Sequence, residues 1–165
     1  MGAPLTGRGF VLLGGGDILD YAAVRRRIAP GDFVICADSG YDHCRPLGVT
    51  PDLLVGDFDS IRGTPPPGTA RVPFPAEKNH TDTTHAIEQA LARGARRMLL
   101  AGVLGGRLDH TLANLQSLAM LSRRGVSACL TDGRTDILAV TDGAAERLPR
   151  PGAYCSLLSL RERCE

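Results

Sequence analysis

The 165-residue chain has no tryptophan, and aromatic residues make up only 4% of it. Single-stranded nucleic acid is held on exposed aromatic platforms, so that class of partner is excluded. Charge of one sign is equally scarce: 19 Lys and Arg against 18 Asp and Glu give a net charge of +1. Without a basic excess there is no electrostatic footprint for a nucleic acid or an anionic membrane. No apolar run approaches the ~20 residues that span a bilayer, and no charged region followed by an apolar core marks a signal peptide. The five cysteines, Cys36, Cys44, Cys129, Cys155 and Cys164, include no Cys-x-x-Cys pair. Their odd number and wide spacing indicate neither a zinc site nor a disulfide framework, and the expected compartment is the reducing cytoplasm. A Walker A sequence ending in Gly-Lys-Ser/Thr is absent.

What is present reads as a folded α/β protein, with 43% hydrophobic residues, 22% charged residues and 20 glycines. The length suits one domain, or one domain and a fragment. Short apolar runs predict strands at Phe10–Leu13, Phe33–Ala37, Leu53–Val55, Met98–Ala101 and Val126–Leu130, with an edge strand at Val72–Phe74 where Pro73 cannot donate to a ladder. Between them, periodic stretches predict helices over Ile18–Ile28, Tyr41–Leu47, Asp82–Arg93 and Asp109–Arg124, the second closed by Gly48 and the last two by Gly94 and Gly125. This alternation predicts a Rossmann-like, mostly parallel sheet with helices on both faces. The α/β domain is expected over residues 1–133. Beyond it the texture changes to short β-like runs with turn signals, such as Ile137–Val140 and Tyr154–Leu160. Residues 134–165 therefore read as the truncated start of a C-terminal β domain, an incomplete β-sandwich segment.

The chemistry gathers at predicted strand ends. Leu53-Leu54-Val55 runs into Gly56-Asp57-Phe58-Asp59-Ser60. Two carboxylates that near each other in one cleft repel, and a cation relieves them; a solvated turn with Asp59 as a cap is the plainer alternative. Asp38 ends the second strand, and Asp82 begins a helix that either it or Thr81 caps. Asp38, Asp57, Asp59 and Asp82 have no His or Cys at metal-ligand spacing, so an oxygen-only set for Mg²⁺ or Mn²⁺ is expected. Lys78 and Arg107 are placed to neutralise phosphate, and Gly105 and Gly106 to let backbone N–H groups approach it. Gly14-Gly15-Gly16 follows a strand but lacks the third glycine of a dinucleotide fingerprint, since Leu19 stands there; it reads as a tight βα turn. Together these features suggest phosphoryl-type transfer from a nucleotide.

Four blocks in order, Ala37-Asp38-Ser39-Gly40, Pro51 through Gly56-Asp57-Phe58-Asp59-Ser60, Lys78-Asn79-His80-Thr81-Asp82, and Gly105-Gly106-Arg107-Leu108-Asp109-His110 with Asn114, resemble the motifs of thiamine pyrophosphokinases. The resemblance runs from about Phe10 to the C-terminus. It implies a catalytic α/β domain followed by a β-sandwich, assembled as a homodimer. It implies transfer of the pyrophosphoryl group of ATP to the thiamine hydroxyl, with release of AMP. Carried over by position, Asp57, Asp59 and Asp82 hold Mg²⁺ with Asp38 close by, and Lys78 and Arg107 contact the phosphates. The nucleotide site implied comprises Asp38, Ser39, Ser60, Thr81, Gly105, Gly106, Arg107, Asp109, His110 and Asn114.

Departures from the pattern concern the acceptor and the metal. Ser39 replaces a glycine, which is strained if that position needs positive φ, and Asn79 replaces an aspartate, removing a charge near the metal. The family holds thiamine partly with its β-sandwich, including an aromatic residue. This chain has no Trp and reaches Glu165 where such a domain begins. Two other readings stay open on the sequence: a pyrophosphokinase with another acceptor, such as a hydroxymethylpterin, and a nucleotide-binding module that has lost catalysis.

Overall fold

The computed structural model describes residues 7–59, 61–73, 81–142 and 152–159. Strands β1 (Phe10–Leu13), β2 (Phe33–Ala37), β3 (Leu53–Gly56), β4 (Ala70–Pro73), β5 (Arg97–Ala101), β6 (Ser127–Thr131) and β7 (Asp136–Leu138) form one sheet in the order β4-β3-β2-β1-β5-β6-β7. Every pairing is parallel except β6 with β7. The chain steps outward from β1 to β4, then returns to the other side of β1 with β5. Strand order therefore reverses between β1 and β5, where a crevice opens at the carboxyl ends of an α/β sheet. Ile137 and Leu138, expected beyond the α/β unit, extend this sheet as its antiparallel edge. Residues 152–159 carry no helix or strand.

The central strands are apolar throughout because both faces are covered. On one face Leu12, Ile35, Val55, Leu100 and Leu130 pack with Ala86, Ile87 and Ala90 of α3 (Asp82–Ala92) and Leu118 and Leu121 of α4 (Leu108–Arg123). On the other, Val11, Leu13, Val34, Cys36, Leu54 and Ala101 meet Val24 of α1 (Tyr21–Arg25) and Cys44 and Leu47 of α2 (Cys44–Leu47). Among the described residues no helix is long and apolar enough to cross a membrane.

Two helices differ from the sequence expectation. The stretch from Ile18 forms helix only over Tyr21–Arg25. The Leu19 and Asp20 N–H groups donate to the Asp132 carbonyl at 2.7 and 3.1 Å, and the Asp20 carboxylate caps Ala23 N–H at 2.8 Å. A tertiary tether thus fixes the helix start three residues late. The helix expected at Tyr41 instead begins as a 3-10 helix at Asp38, runs to His43 and passes directly into α2. Gly48 ends it in the left-handed conformation, as expected (φ 61°).

Candidate active site

The acidic residues are brought together by the ends of β2 and β3. Ala37 ends β2, and Asp38 follows at once with φ 47°, in the left-handed region. Gly56 ends β3 with φ 139°, and a Cβ there would sit 3.3 Å from the Asp38 Cβ. Only glycine lets the two strand ends lie this close at that backbone angle. Phe58 has φ 66°, an uncommon conformation for a bulky side chain and one that concentrates at functional sites. This turn is closed by the Asp57 carboxylate, which accepts the Asp59 N–H at 3.3 Å.

Asp38, Asp57 and Asp59 each place a carboxylate oxygen within 4.8 Å of the others. Asp38 is half-buried, and the other two are exposed. The hydrogen bond shared with the Asp57 carboxyl, then the charge of Asp57, holds Asp59 above the ordinary carboxylate range. Asp82 lies outside the group but feels it: burial, then the charges of Asp38 and Asp57, raises its carboxyl. Thr81 is the cap of α3, accepting the Thr84 N–H at 3.2 Å, so the Asp82 side chain is not committed to capping. Such a cluster with no nitrogen or sulfur donor suits a hard divalent cation. Lys78 and Ser60 lie outside the described residues, as does Asn79.

The second half of the site is the loop after β5. Gly105 and Gly106 both take positive φ (80° and 64°), a backbone that glycine adopts freely and that leaves room for a ligand to approach. Asn114, buried on α4, donates Nδ2–H to the Val103 carbonyl at 2.7 Å and ties the loop to the helix. Arg107 and Asp109 form a two-point pair on the surface, with Nε–Oδ1 at 3.1 Å and Nη2–Oδ2 at 2.5 Å. The pair raises the Arg107 guanidinium and holds the Asp109 carboxyl below its usual range. His110 is exposed and stands near enough to Asp82 to favour its ionised form slightly.

Ser39 is not strained: the positive φ falls on Asp38, one residue earlier. The Ser39 hydroxyl packs over Gly15, in space that a side chain there would occupy. The glycines of the first loop serve backbone approach. The Gly14 N–H donates to Ala101 O at 2.9 Å, and the Gly16 N–H to Gly102 O at 2.7 Å, joining the β1 and β5 loops across the crevice. A connection that the sequence did not reveal locks this junction. His43 Nε2 lies 2.9 Å from the Gly16 carbonyl, and the Tyr21 hydroxyl 2.7 Å from Nδ1. A carbonyl can only accept, so Nε2 carries the proton and Nδ1 takes the tyrosine's. No motif spacing marks His43; the 3-10 helix brings it to the β1 loop and to Tyr21.

A doubly wound α/β domain with an oxygen-only acidic cluster and a glycine loop beyond the carboxyl ends of its strands has the layout of an α/β protein that binds its ligand at the topological switch point. Residues 24–130 match the model of the family described as thiamin pyrophosphokinase, catalytic domain, and the chain belongs to that family. It is 32% identical over 108 residues to thiamine pyrophosphokinase of Bacillus subtilis, covering 62% of this chain and 50% of that one. It is 28% identical over 99 residues to thiamin pyrophosphokinase 1 of Caenorhabditis elegans, covering 56% and 41%. The chain thus spans half or less of the length of these relatives. The crystal structure of thiamin pyrophosphokinase from Geobacillus thermodenitrificans superposes with a TM-score of 0.60 at 28% identity, over 72% of this chain and 58% of that one. The Bacillus subtilis enzyme gives 0.66 at 24% identity, over 75% and 60%, and supports the fold.

Proposed function

We infer that the chain is the catalytic part of a thiamine pyrophosphokinase, transferring the β,γ-pyrophosphoryl group of ATP to the hydroxyl of thiamine. The observation that carries this reading is the convergence of Asp38, Asp57 and Asp59 within 4.8 Å in a chain whose residues 24–130 match the family's catalytic domain. In the reaction the thiamine oxygen forms a bond to the β-phosphorus, the α–β bridging bond breaks, AMP departs and the hydroxyl proton is lost. Asp38, Asp57 and Asp59 fit Mg²⁺ as ligands, with Asp82 adding negative charge beside them. When bound, Mg²⁺ neutralises phosphate charge and polarises the transferred group. Lys78 and Arg107 are assigned to the phosphates. The nucleotide is assigned to Asp38, Ser39, Ser60, Thr81, Gly105, Gly106, Asp109, His110 and Asn114. Positioning and charge neutralisation are what such a transfer asks of a protein.

The same reading has residues 134–165, apart from the sheet strand β7, open a β domain, and sets the protein in a homodimer in the cytoplasm. Support for a partner surface comes from Tyr154, Leu157 and Leu158, all more than four-fifths exposed. The wide spacing of the five cysteines, with no Cys-x-x-Cys pair, supports a reducing compartment. The test is a panel of hydroxylated acceptors, thiamine and a hydroxymethylpterin among them, incubated with ATP and Mg²⁺ and scored for AMP by chromatography. AMP that appears only with thiamine is the expected result. ADP as the sole product, or AMP only with another acceptor, defeats the assignment.

A further inference from the structure

Cys36 lies in β2 and Cys44 opens α2, and their Sγ atoms are 3.3 Å apart. Both side chains are buried, with 0% and 4% exposure. Between them runs the 3-10 helix that begins with Asp38. We propose that Cys36 and Cys44 are a redox-reactive pair which a hydroperoxide closes to a disulfide, and that closure displaces Asp38 from the acidic cluster.

The geometry favours bond formation between these two sulfurs. A disulfide holds its sulfurs about 2.05 Å apart, so closure from 3.3 Å asks for an approach of about 1.3 Å. The two ends do not yield equally. β2 is bonded on both sides, to β1 and β3. α2 has four residues and one αL cap, and a single turn of helix opens at little cost. The movement therefore falls on α2 and the 3-10 helix. Asp38 is the first residue of that helix and already sits at φ 47°, so its carboxylate shifts relative to Asp57 and Asp59 in the turn after β3.

Cys44 is the attacking group. It is the more exposed of the two, and its contact with the Cys36 sulfur at 3.3 Å holds its thiol below the ordinary range despite burial. Its thiolate attacks one peroxide oxygen, the O–O bond breaks, and the sulfenic acid and one water form. Cys36 then attacks that sulfur and a second water leaves. Two thiols and one hydroperoxide give one disulfide and two waters, or one water and an alcohol.

The loss of cation affinity rests on the metal reading of the cluster; the bond itself does not. The experiment uses the full chain with Cys155→Ser and Cys164→Ser, so that the two C-terminal thiols do not interfere. It is treated with hydrogen peroxide, unfolded, and alkylated. No Lys or Arg separates Ile28 from Arg45, so one tryptic peptide carries both cysteines. The expected result is that this peptide stays unalkylated, lighter by two hydrogens, until dithiothreitol restores two alkylation sites. Adding Cys44→Ala should abolish the change. Mn²⁺ titration of the reduced and oxidised forms should show affinity weakened several-fold and recovered on reduction. Two alkylated cysteines after peroxide overturn the proposal, and a disulfide with unchanged Mn²⁺ affinity overturns its coupling to Asp38. If even the reduced form binds no Mn²⁺, the metal reading fails, and the thiol pair is judged on alkylation alone.

Discussion

His43 on the 3-10 helix donates Nε2–H to the carbonyl of Gly16 at 2.9 Å, spanning 27 residues of sequence. With Tyr21 on its other nitrogen at 2.7 Å, the imidazole joins α1, the β1 loop and the helix that carries Asp38. Tyr21→Phe removes one donor and should cost about 1 kcal/mol. His43→Ala also leaves the Gly16 carbonyl without that partner and should cost about 1–3 kcal/mol. Urea unfolding of the two variants measures both, and equal midpoints for His43→Ala and the unaltered protein would show that the link contributes nothing.

The Gly56 position should tolerate no side chain. Its φ of 139° is open to glycine and strained for alanine, and the added Cβ would press on Asp38 at 3.3 Å. Gly56→Ala is expected to lower stability by about 1–3 kcal/mol and to loosen Asp38 from Asp57. Calorimetric melting with and without Mg²⁺ reads both effects. A variant that melts like the parent and gains the same stabilisation from Mg²⁺ would contradict the close approach.

Asp57 should matter for turnover far more than for folding. It is exposed, and its carboxylate accepts the Asp59 N–H at a long 3.3 Å. Asp57→Asn is expected to leave the melting temperature nearly unchanged and to reduce Mg²⁺-dependent AMP formation by about 10²-fold or more. Full activity in that variant would remove Asp57 from the site.

The sheet was legible because its strands are buried on both faces, so Phe10–Leu13 and Phe33–Ala37 stand out as unbroken apolar runs with the boundaries observed. Pro73 marked the edge strand correctly. α3 and α4 carry enough turns for periodicity to show. What could not be read was decided by tertiary contact. The Asp132 carbonyl shortens α1 from a distance of more than a hundred residues, and the positive φ of Phe58 falls on a bulky residue type that gives no local signal of it. The sequence offered four candidate carboxylates, whereas the structure groups Asp38 with Asp57 and Asp59 and sets Asp82 beside them. That distinction depends on where the β2 and β3 ends meet.

Acid should relieve the repulsion within the acidic cluster in the absence of a cation. Asp59, through Asp57, and Asp82, through burial and then Asp38 and Asp57, hold their protons above the ordinary carboxylate range. Between the unfolded and the folded titration ranges the native state binds more protons, so stability falls as pH rises through that window. Below it these groups contribute no cost, and above it the full repulsion persists. Mg²⁺ should therefore raise the melting temperature strongly near neutrality and weakly at the acid end of the window. A Mg²⁺ effect independent of pH would mean that the cluster does not bind the ion.

Asn114 should separate nucleotide binding from chemistry. Its side chain is buried and its Nδ2 bonds the Val103 carbonyl at 2.7 Å, on the loop that leads to Gly105 and Gly106. Asn114→Ala leaves that carbonyl unpaired and should cost about 1–3 kcal/mol of stability. If the loop binds the nucleotide phosphates and the carboxylates after β2 and β3 hold the reacting atoms, a looser loop weakens binding before it affects the chemistry. Steady-state kinetics should then show KM for ATP rising several-fold, with kcat at saturating ATP much less affected. Asp57→Asn should show the opposite split. A fall in kcat alone for Asn114→Ala would mean that the glycine loop acts on the transition state rather than on nucleotide binding, and the division of labour between the two halves of the site would have to be redrawn.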